Sequence, residues 1–386
     1  MTHVTATSHS LSQSESAVTR TVAELVFLVF GGACVIVAIG ANQRWLDRHF
    51  LPSFLLPRDW FTLIETSVRV GLALLGAWLM TRARKRVGRM AGRDPALALS
   101  IGLAILLAFA AAEIALTRVK VQPAEWLFPD EEPRRQIDAH LGWTYAPSRI
   151  GHKTIGGRVI TYAIDAHGYR VRTIEEPVDP AHPSVLFAGE SVMAGEGLTW
   201  DESVPGQVAH ILQTQSVNLA VDGYSSDQAY LRLERELPQF RRPVAVVMLF
   251  MTALFGRNLD RDRPYLDSDL TWRPARPRSR LLALAQIFIP YRSDAAVENG
   301  VRNTRDVLAA TAALATRRGA LPVILVPQFG HDDQRDQELR HAIFDGSGVT
   351  YVFVELDPAW RIPWDRHPDA RAARAMADAV ARAIRR

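Results

Sequence analysis

The chain has 386 residues, which is enough for one globular domain of ordinary size and further segments. Its single cysteine, Cys34, excludes an intramolecular disulfide and a cysteine-based zinc site. The formal net charge of +4 is modest, and the one dense basic run, at residues 82–93, contains no aromatic side chain. We therefore expect no nucleic-acid binding and interpret this run as a loop that flanks a membrane.

Three apolar stretches near the N-terminus are long enough to cross the hydrocarbon core of a membrane as helices. They cover residues 21–41, 61–80 and 96–117, within an anchor that spans residues 21–118. No convincing cleavage site follows the first stretch, which favours an anchor over a signal peptide. Residues 1–20 are rich in Ser and Thr without an apolar period, which predicts a disordered tail.

The basic run predicts the orientation of these spans. Basic loops favour the cytoplasmic side of a membrane, and this run lies between the second and third apolar stretches. The N-terminus is therefore predicted to be cytoplasmic, with everything after Thr117 on the other side. In a bacterium this corresponds to an inner-membrane anchor and a periplasmic C-terminal domain.

The composition changes after the anchor. Residues 119–183 form a polar connector in which Arg158–Ile164 alternates like a short strand. In residues 184–386, apolar runs of strand length alternate with helical patterns, which predicts a parallel sheet covered by helices on both faces. We expect a three-layer α/β domain. Residues 257–294, rich in Arg, Pro and Asp, interrupt the alternation as an insertion or a lid.

The alternating pattern gives approximate bounds for each element. The predicted strands are Val185–Ala188, Val217–Val221, Val244–Phe250, Leu321–Pro327 and Tyr351–Leu356. The predicted helices are Val204–Gln213, Asp227–Phe240, Ala295–Arg318, Gln334–Ile343 and Asp369–Arg385.

A serine follows the first of these strands, in the run Gly189-Glu190-Ser191. Ligands bind at the carboxyl ends of the strands in open α/β sheets, so this turn is a candidate site. By itself, Ser191 is explained equally well as the cap of a helix. A serine hydroxyl becomes a good nucleophile only when a base can take its proton and a carboxylate orients that base.

A base and a carboxylate follow the last strand. If the run Asp365-Arg366-His367 is extended, residues two apart point to the same side, so Asp365 can orient His367. The alternative is that Asp365 or Asp369 caps the final helix and that His367 is an ordinary loop residue.

Ester chemistry also requires donors for the oxyanion of the tetrahedral intermediate. Gly223, after the second strand, can bring its backbone N–H close to a substrate because it lacks a side chain. Asn258, after the third strand, can supply an amide N–H. A plain turn role remains open for both residues.

Together these four blocks resemble the SGNH/GDSL hydrolase family over about Ser184–Arg385. The resemblance implies a flavodoxin-like sheet, Ser191 as nucleophile, and His367 and Asp365 as base and orienting carboxylate. It also implies that the Ser191 and Gly223 backbone N–H groups and the Asn258 side chain form the oxyanion site. Three earlier runs are similar to the lead-in of some membrane-attached bacterial members: Leu141-Gly142-Trp143, Pro147-Ser148 and Gly168-Tyr169-Arg170.

The chain departs from the family pattern at three places. Glu190 stands where the family has Asp, which lengthens the side chain beside the nucleophile. The usual Asp-x-x-His is shortened, and Trp364 occupies the usual Asp position. The family's Asn would fall near Ala253, whereas Asn258 lies further along the chain.

The leading interpretation is a membrane-anchored serine hydrolase, a carboxylic ester hydrolase. It would remove an acyl group, with acetyl among the candidates, from a cell-envelope glycan or a lipid-linked substrate. No cofactor or metal is predicted, because the eleven histidines show no ligand-spaced cluster. Two alternatives remain. One is a catalytically silent SGNH-like domain that binds glycan or scaffolds an envelope assembly, and the other is an acyltransferase that works with a membrane protein partner.

Overall fold

The computed structural model describes most of the chain in seven segments, residues 3–40, 58–118, 132–276, 279–282, 293–330, 334–363 and 365–386. The first part of the predicted connector, residues 119–131, and Trp364 lie outside the described residues. Contacts divide the chain into two compact units. One unit holds the N-terminal helices with residues 279–282, and the other holds the remaining described residues from 132 onward.

The first unit is helical. Its helices are α1 (His3–Gly40), α2 (Arg58–Trp78), α3 (Arg84–Arg93) and α4 (Pro95–Arg118), with a π-helical turn at Leu79–Ala83 between α2 and α3. Among the described residues, three segments are long and apolar enough to cross a membrane, as predicted: Ser16–Gly40, Thr62–Arg93 and Pro95–Arg118. Small residues let α1 and α2 come close, since a Cβ added at Gly76 would lie 2.6 Å from the Gly31 carbonyl oxygen.

The structure corrects two expectations for this unit. The stretch predicted as a disordered tail is helical from His3 onward, in one helix with the first apolar span. Helix formation is cooperative, so a span that is already helical extends readily into the residues before it. The basic run predicted as a loop is also helical, because Arg, Lys, Met and Ala are good helix formers. The break comes at Asp94, whose side chain accepts a hydrogen bond from the Leu97 N–H at 2.9 Å.

The second unit is built on strands. In chain order these are β1 (Arg135–Asp138), β2 (Gly142–Tyr145), β3 (Arg149–Ile155), β4 (Arg158–Ile164), β5 (Arg170–Val171), β6 (Ser184–Ala188), β7 (Gln215–Asn218), β8 (Pro243–Leu249), β9 (Tyr265–Leu266), β10 (Trp272–Arg273), β11 (Leu321–Phe329) and β12 (Tyr351–Leu356). Its α-helices are α5 (Ser191–Ala194), α6 (Val204–Leu212), α7 (Ser226–Glu236), α8 (Asp294–Arg317), α9 (Gln334–Phe344) and α10 (Ala370–Arg385).

Eight of these strands form the central sheet, in the order β12-β11-β8-β6-β7-β5-β4-β3. The five strands from β12 to β7 are parallel. Helices α6 and α10 pack together on one face, while α7 and α8 pack together on the other. The predicted three-layer α/β fold is therefore confirmed, and all five residues of β6 are buried in it.

The sheet is mixed rather than parallel throughout. Strands β3, β4 and β5 of the predicted connector continue it by antiparallel pairing, and Arg170 of β5 pairs with Asn218 of β7. The sequence predicted a short strand in the connector but not that it joins this sheet. Their pairing with β7 makes the connector part of the same sheet as the strand that carries the candidate nucleophile.

The described parts of the predicted insertion, residues 257–294, have three different environments. The first residues complete a 3-10 helix, Thr252–Leu259, that packs into the core through Phe255. The β9–β10 hairpin follows. Residues 279–282 belong to the helical unit, where Glu113 of α4 accepts hydrogen bonds from the Arg280 and Leu281 N–H groups at 2.7 and 3.0 Å. The insertion therefore contributes to both units.

Candidate active site

Ser191 opens a single helical turn, α5, directly after the buried strand β6. Glu190 caps this turn by accepting a hydrogen bond from the Val192 N–H at 3.2 Å, so the serine side chain is not the cap. Gly195 ends the turn with φ +83°, and a Cβ there would lie 2.6 Å from a guanidinium nitrogen of Arg170. The local sequence therefore presents the Ser191 hydroxyl at the carboxyl end of the sheet.

His367 and Asp365 meet this hydroxyl. His367 Nε2 lies 2.8 Å from Ser191 Oγ, and Nδ1 on the other side of the ring bonds to Asp365 Oδ1. Ser191 is 5% exposed and the His367 side chain 14% exposed. The structure therefore brings the three predicted catalytic residues together as a Ser–His–Asp chain, in the arrangement that activates a serine nucleophile.

The loop between β12 and α10 holds the imidazole in this place. The Ile362 N–H donates to the His367 carbonyl at 2.8 Å, and the Arg366 N–H donates to the Ile362 carbonyl at 3.0 Å. Asp369 caps α10 by accepting from the backbone N–H groups of its first turn. Because Asp369 provides the cap, Asp365 is left to bond to the imidazole.

Charges around the triad shift its pKa values. Burial acts to raise the pKa of Asp365, but the hydrogen bond and charge of His367 outweigh it and lower that pKa below its usual value. Burial acts to lower the pKa of His367, but Asp365 outweighs it, with further contributions from Glu196 and Glu190, and raises that pKa. Both shifts favour the ionised Asp–imidazolium pair that forms when the base takes a proton.

The Ser191 hydroxyl has two partners. It donates to Glu190 Oε2 at 2.6 Å and lies against His367 Nε2. When His367 is protonated, Nε2 is a donor, and the serine proton points to Glu190. When His367 is neutral with its proton on Nδ1, Nε2 can accept the serine proton instead. Only the second pattern leads to nucleophilic attack.

Arg257 balances the Glu190 carboxylate. Its guanidinium approaches Glu190 Oε2 at 3.3 Å from the 3-10 helix that follows β8. This arginine was missed by the sequence reasoning, which singled out its neighbour. The one sequence feature that could have pointed to Arg257 was its position next to Asn258, which the resemblance had marked as a candidate donor.

Asn258 is fully engaged elsewhere. Its amide nitrogen donates to Ser226 Oγ at 3.0 Å and to Thr304 Oγ1 at 2.9 Å, and its oxygen accepts from the Ser226 N–H at 2.9 Å. Both amide N–H groups are therefore used inside the core, where Asn258 is 5% exposed. In this arrangement neither N–H of Asn258 is available for the predicted role of oxyanion donor.

Gly223 lies on the loop after β7, which remains bonded to the nucleophile strand. The Leu219 N–H donates to the Phe187 carbonyl at 2.8 Å, and the Val221 N–H donates to the Gly189 carbonyl at 3.3 Å. Gly223 has φ +79°, a conformation that favours glycine. The fold thus brings the predicted backbone donor to the strand end that carries Ser191.

The connector supplies a buried arginine that sequence reasoning noted only as part of a family lead-in. Arg170 of β5 is 1% exposed and donates to the carbonyls of Ala194 and Gly195 at 2.6 and 2.7 Å, and also to the Leu198 carbonyl. The Arg170 side chain therefore connects the turn after the nucleophile to the connector by hydrogen bonds.

Comparisons with known proteins give structural likenesses only. No family model and no curated protein matches the sequence. A lipolytic protein assigned to the G-D-S-L family of Desulfitobacterium hafniense is 9% identical, with a TM-score of 0.32 over 52% of this chain and 98% of that one. An acetyl xylan esterase of Butyrivibrio proteoclasticus is 12% identical, with a TM-score of 0.33 over 54% and 65%. An esterase of Pseudoalteromonas is 13% identical, with a TM-score of 0.32 over 52% and 96%. Because these values are low, we base the functional assignment on the geometry of the site.

Proposed function

We propose that the chain is a membrane-anchored serine esterase of the SGNH type that removes an acyl group from a cell-envelope glycan or a lipid-linked substrate. The observation that carries the proposal is the hydrogen-bonded chain from Ser191 Oγ through His367 to Asp365. This geometry suits acyl transfer through a covalent serine intermediate.

The proposed reaction uses the side chains of the triad in two steps. Ser191 Oγ attacks the ester carbonyl while His367 Nε2 takes the hydroxyl proton, and Asp365 stabilises the imidazolium. The backbone N–H groups of Ser191 and Gly223 are the proposed donors to the oxyanion. His367 then protonates the leaving alcohol and later activates the water that releases the acyl group. A sugar hydroxyl in place of that water would give acyl transfer by the same residues.

The proposed location follows from the helical unit. Three apolar helices are compatible with a membrane anchor. The basic residues at the end of the second span, on α3, support a cytoplasmic N-terminus, because basic segments favour that side. In a bacterium this proposed orientation would put the esterase domain in the periplasm.

Labelling by a fluorophosphonate probe tests the proposal on the full-length protein in detergent. We expect covalent labelling of the wild type and none of Ser191→Ala, because only an activated serine reacts at a useful rate. Ser216→Ala is the matched control, since this buried serine on β7 has a hydroxyl without a hydrogen-bond partner among the described residues. Equal labelling of wild type and Ser191→Ala would reject the esterase. A folded wild type that does not label would favour the silent binding domain.

The pH dependence of hydrolysis provides an independent check. Only neutral His367 can accept the serine proton, so activity must fall as the pH falls through the His367 pKa. The Asp365 hydrogen bond holds that pKa above its usual value of about 6.5, despite burial. We therefore expect the acid limb of kcat/KM for p-nitrophenyl acetate to have its midpoint above about 6.5. A midpoint well below that value would contradict the assignment of His367 as the base.

A further inference from the structure

An ion pair between a buried carboxylate, Glu196, and a half-buried ammonium, Lys153, lies close to the triad and has no part in the mechanism above. The Glu196 side chain is 5% exposed, and its Oε1 accepts a hydrogen bond from Lys153 Nζ on strand β3. Its backbone is fixed as well, since the Glu196 N–H donates to the Ser191 carbonyl at 3.0 Å. The backbone of Glu196 is therefore bonded to that of the nucleophile, and its side chain is bonded to the connector hairpin.

The second carboxylate oxygen of Glu196 is unusual. Glu196 Oε2 is buried and has no hydrogen-bond partner among the described residues, and the same holds for Asp222 Oδ1 on the loop after β7. A buried carboxylate oxygen without a partner is costly unless a positive charge compensates it. The hydrogen bond from Lys153 goes to the first oxygen, Oε1, and a second group that interacts with this carboxylate, His367, gains positive charge during the reaction.

Ionisable groups on several elements surround this carboxylate. Those that interact with Glu196 are Lys153 on β3, Asp222 after β7, His367 before α10, Tyr145 on β2, Tyr162 on β4 and Arg170 on β5. Those that interact with His367 are Asp365, Glu196 and Glu190. Glu196 is thus the second carboxylate, after Asp365, that favours the charged imidazole.

The protonation of Glu196 depends on the same neighbours. Burial and the Asp222 carboxylate raise the pKa of Glu196 to about 7, although Lys153 and His367 act to lower it. Glu196 is therefore ionised above a pH of about 7, and the two cations beside it favour its charged form without outweighing burial and Asp222. Lys153 also interacts favourably with Asp365, so one ammonium stabilises two of the three carboxylates that interact with His367.

We propose that Glu196, held by Lys153, is a positioning residue that stabilises the imidazolium of His367 in addition to Asp365. Charges interact strongly in a buried site, because little solvent screens them. When His367 takes the Ser191 proton, the new positive charge is attracted by Glu196 without a direct bond to it. This inference rests on the proposed function, since it requires His367 to act as the base.

The test is the variant Glu196→Gln, which keeps the shape of the side chain and removes its charge. The loss of a nearby negative charge lowers the His367 pKa, so we expect the acid limb of kcat/KM to move to lower pH by about half a unit to one unit. We expect the plateau rate to fall about three- to tenfold, because the imidazolium is less stabilised. The double variant Lys153→Met/Glu196→Gln should also move the acid limb to lower pH, but by less than Glu196→Gln alone. In the single variant the unpaired Lys153 ammonium lowers the His367 pKa further, and in the double variant this charge is removed as well.

Glu202→Gln is the matched control. Arg158 and Glu202 form an ion pair at 2.8 Å between the same hairpin and the same segment, but on the surface. This variant should leave the midpoint unchanged. A purely structural role of Glu196 would lower the thermal midpoint and the plateau rate without moving the acid limb.

Histidine-selective ¹⁵N NMR separates this inference from the proposed function. The His367 resonance, assigned with His367→Gln, reports its pKa without turnover. An unchanged His367 pKa in both Glu196 variants would overturn the positioning role, even if Ser191-dependent hydrolysis is observed. Conversely, if wild type and Ser191→Ala hydrolyse the ester equally, the esterase is rejected, while a lowered His367 pKa in Glu196→Gln would still support the electrostatic contact.

Discussion

Replacing His367 by alanine is expected to lower kcat for ester hydrolysis by about 10⁴-fold or more, with KM almost unchanged. Among the described residues, His367 and Glu190 lie within hydrogen-bond distance of Ser191 Oγ, and the imidazole alone has Asp365 behind it to stabilise the charge that it gains with the proton. His367 is therefore the group that takes the serine proton and returns it to a leaving alcohol. Initial rates on a soluble aryl ester measure the effect, with circular dichroism and the thermal midpoint to show that the variant is folded.

The chain offers a close control for this variant. His341 and Asp345 form another His–Asp pair, at 3.1 Å, on the exposed surface of α9. His341→Ala removes a similar pair far from any nucleophile and should leave kcat within about twofold of wild type, as expected for a surface change. If His367→Ala retained more than about a tenth of the wild-type rate, His367 would not be the base.

The predictable parts of this chain were those encoded by consecutive residues. The strand Val185–Ala188 was predicted because an apolar run of strand length ends at a glycine turn, in a region where such runs alternate with helical patterns. The structure extends it by one residue, to Ser184. Asp365 and His367 were predicted to share a side because residues two apart do so in any extended segment. The two side chains are bonded, but the chain is not extended there, since Arg366 has φ +70° and its N–H donates to the Ile362 carbonyl in a turn.

The parts that were missed depend on partners distant in sequence. Nothing beside Asn258 indicates that its amide is used by Thr304 in another helix. Lys153 and Glu196 meet only because the connector strands join the sheet by antiparallel pairing. Strand β5 is only two residues long, too short for a periodic pattern, and without it the connector cannot be placed next to β7.

The local sequence also did not show which side chains cap a helix and which bond to His367. Asp365 and Asp369 were both candidate caps for the final helix, and Ser191 was itself a candidate cap. The structure assigns the caps to Asp369 and Glu190, which leaves the other two side chains to bond with His367. The decision depends on backbone conformation at two loops, which residue types alone leave open.

Replacement of Arg170, the buried arginine of the connector, is expected to cause the largest loss of stability. Arg170 is fully buried, lies over the Tyr162 ring at 4.5 Å and donates to three carbonyl groups of the turn after the nucleophile. Arg170→Met keeps most of the volume but leaves those carbonyls without donors. We expect the free energy of unfolding to fall by about 3–5 kcal/mol, the usual cost of removing one partner from a buried charged network.

Arg170→Met should also slow the labelling of Ser191. Two of the three carbonyls that lose their donor belong to Ala194 and Gly195, which end the helical turn of Ser191. Denaturation of the full chain in detergent, followed by tryptophan fluorescence, measures stability, and fluorophosphonate labelling below the transition measures the site. Arg172→Met is the control, since its pair with Asp201 is 62% and 63% exposed and should contribute less than about 1 kcal/mol. If the two variants were equally stable, the connector would not hold the nucleophile turn. If Arg170→Met were unstable but labelled at the wild-type rate when folded, its role would be confined to stability.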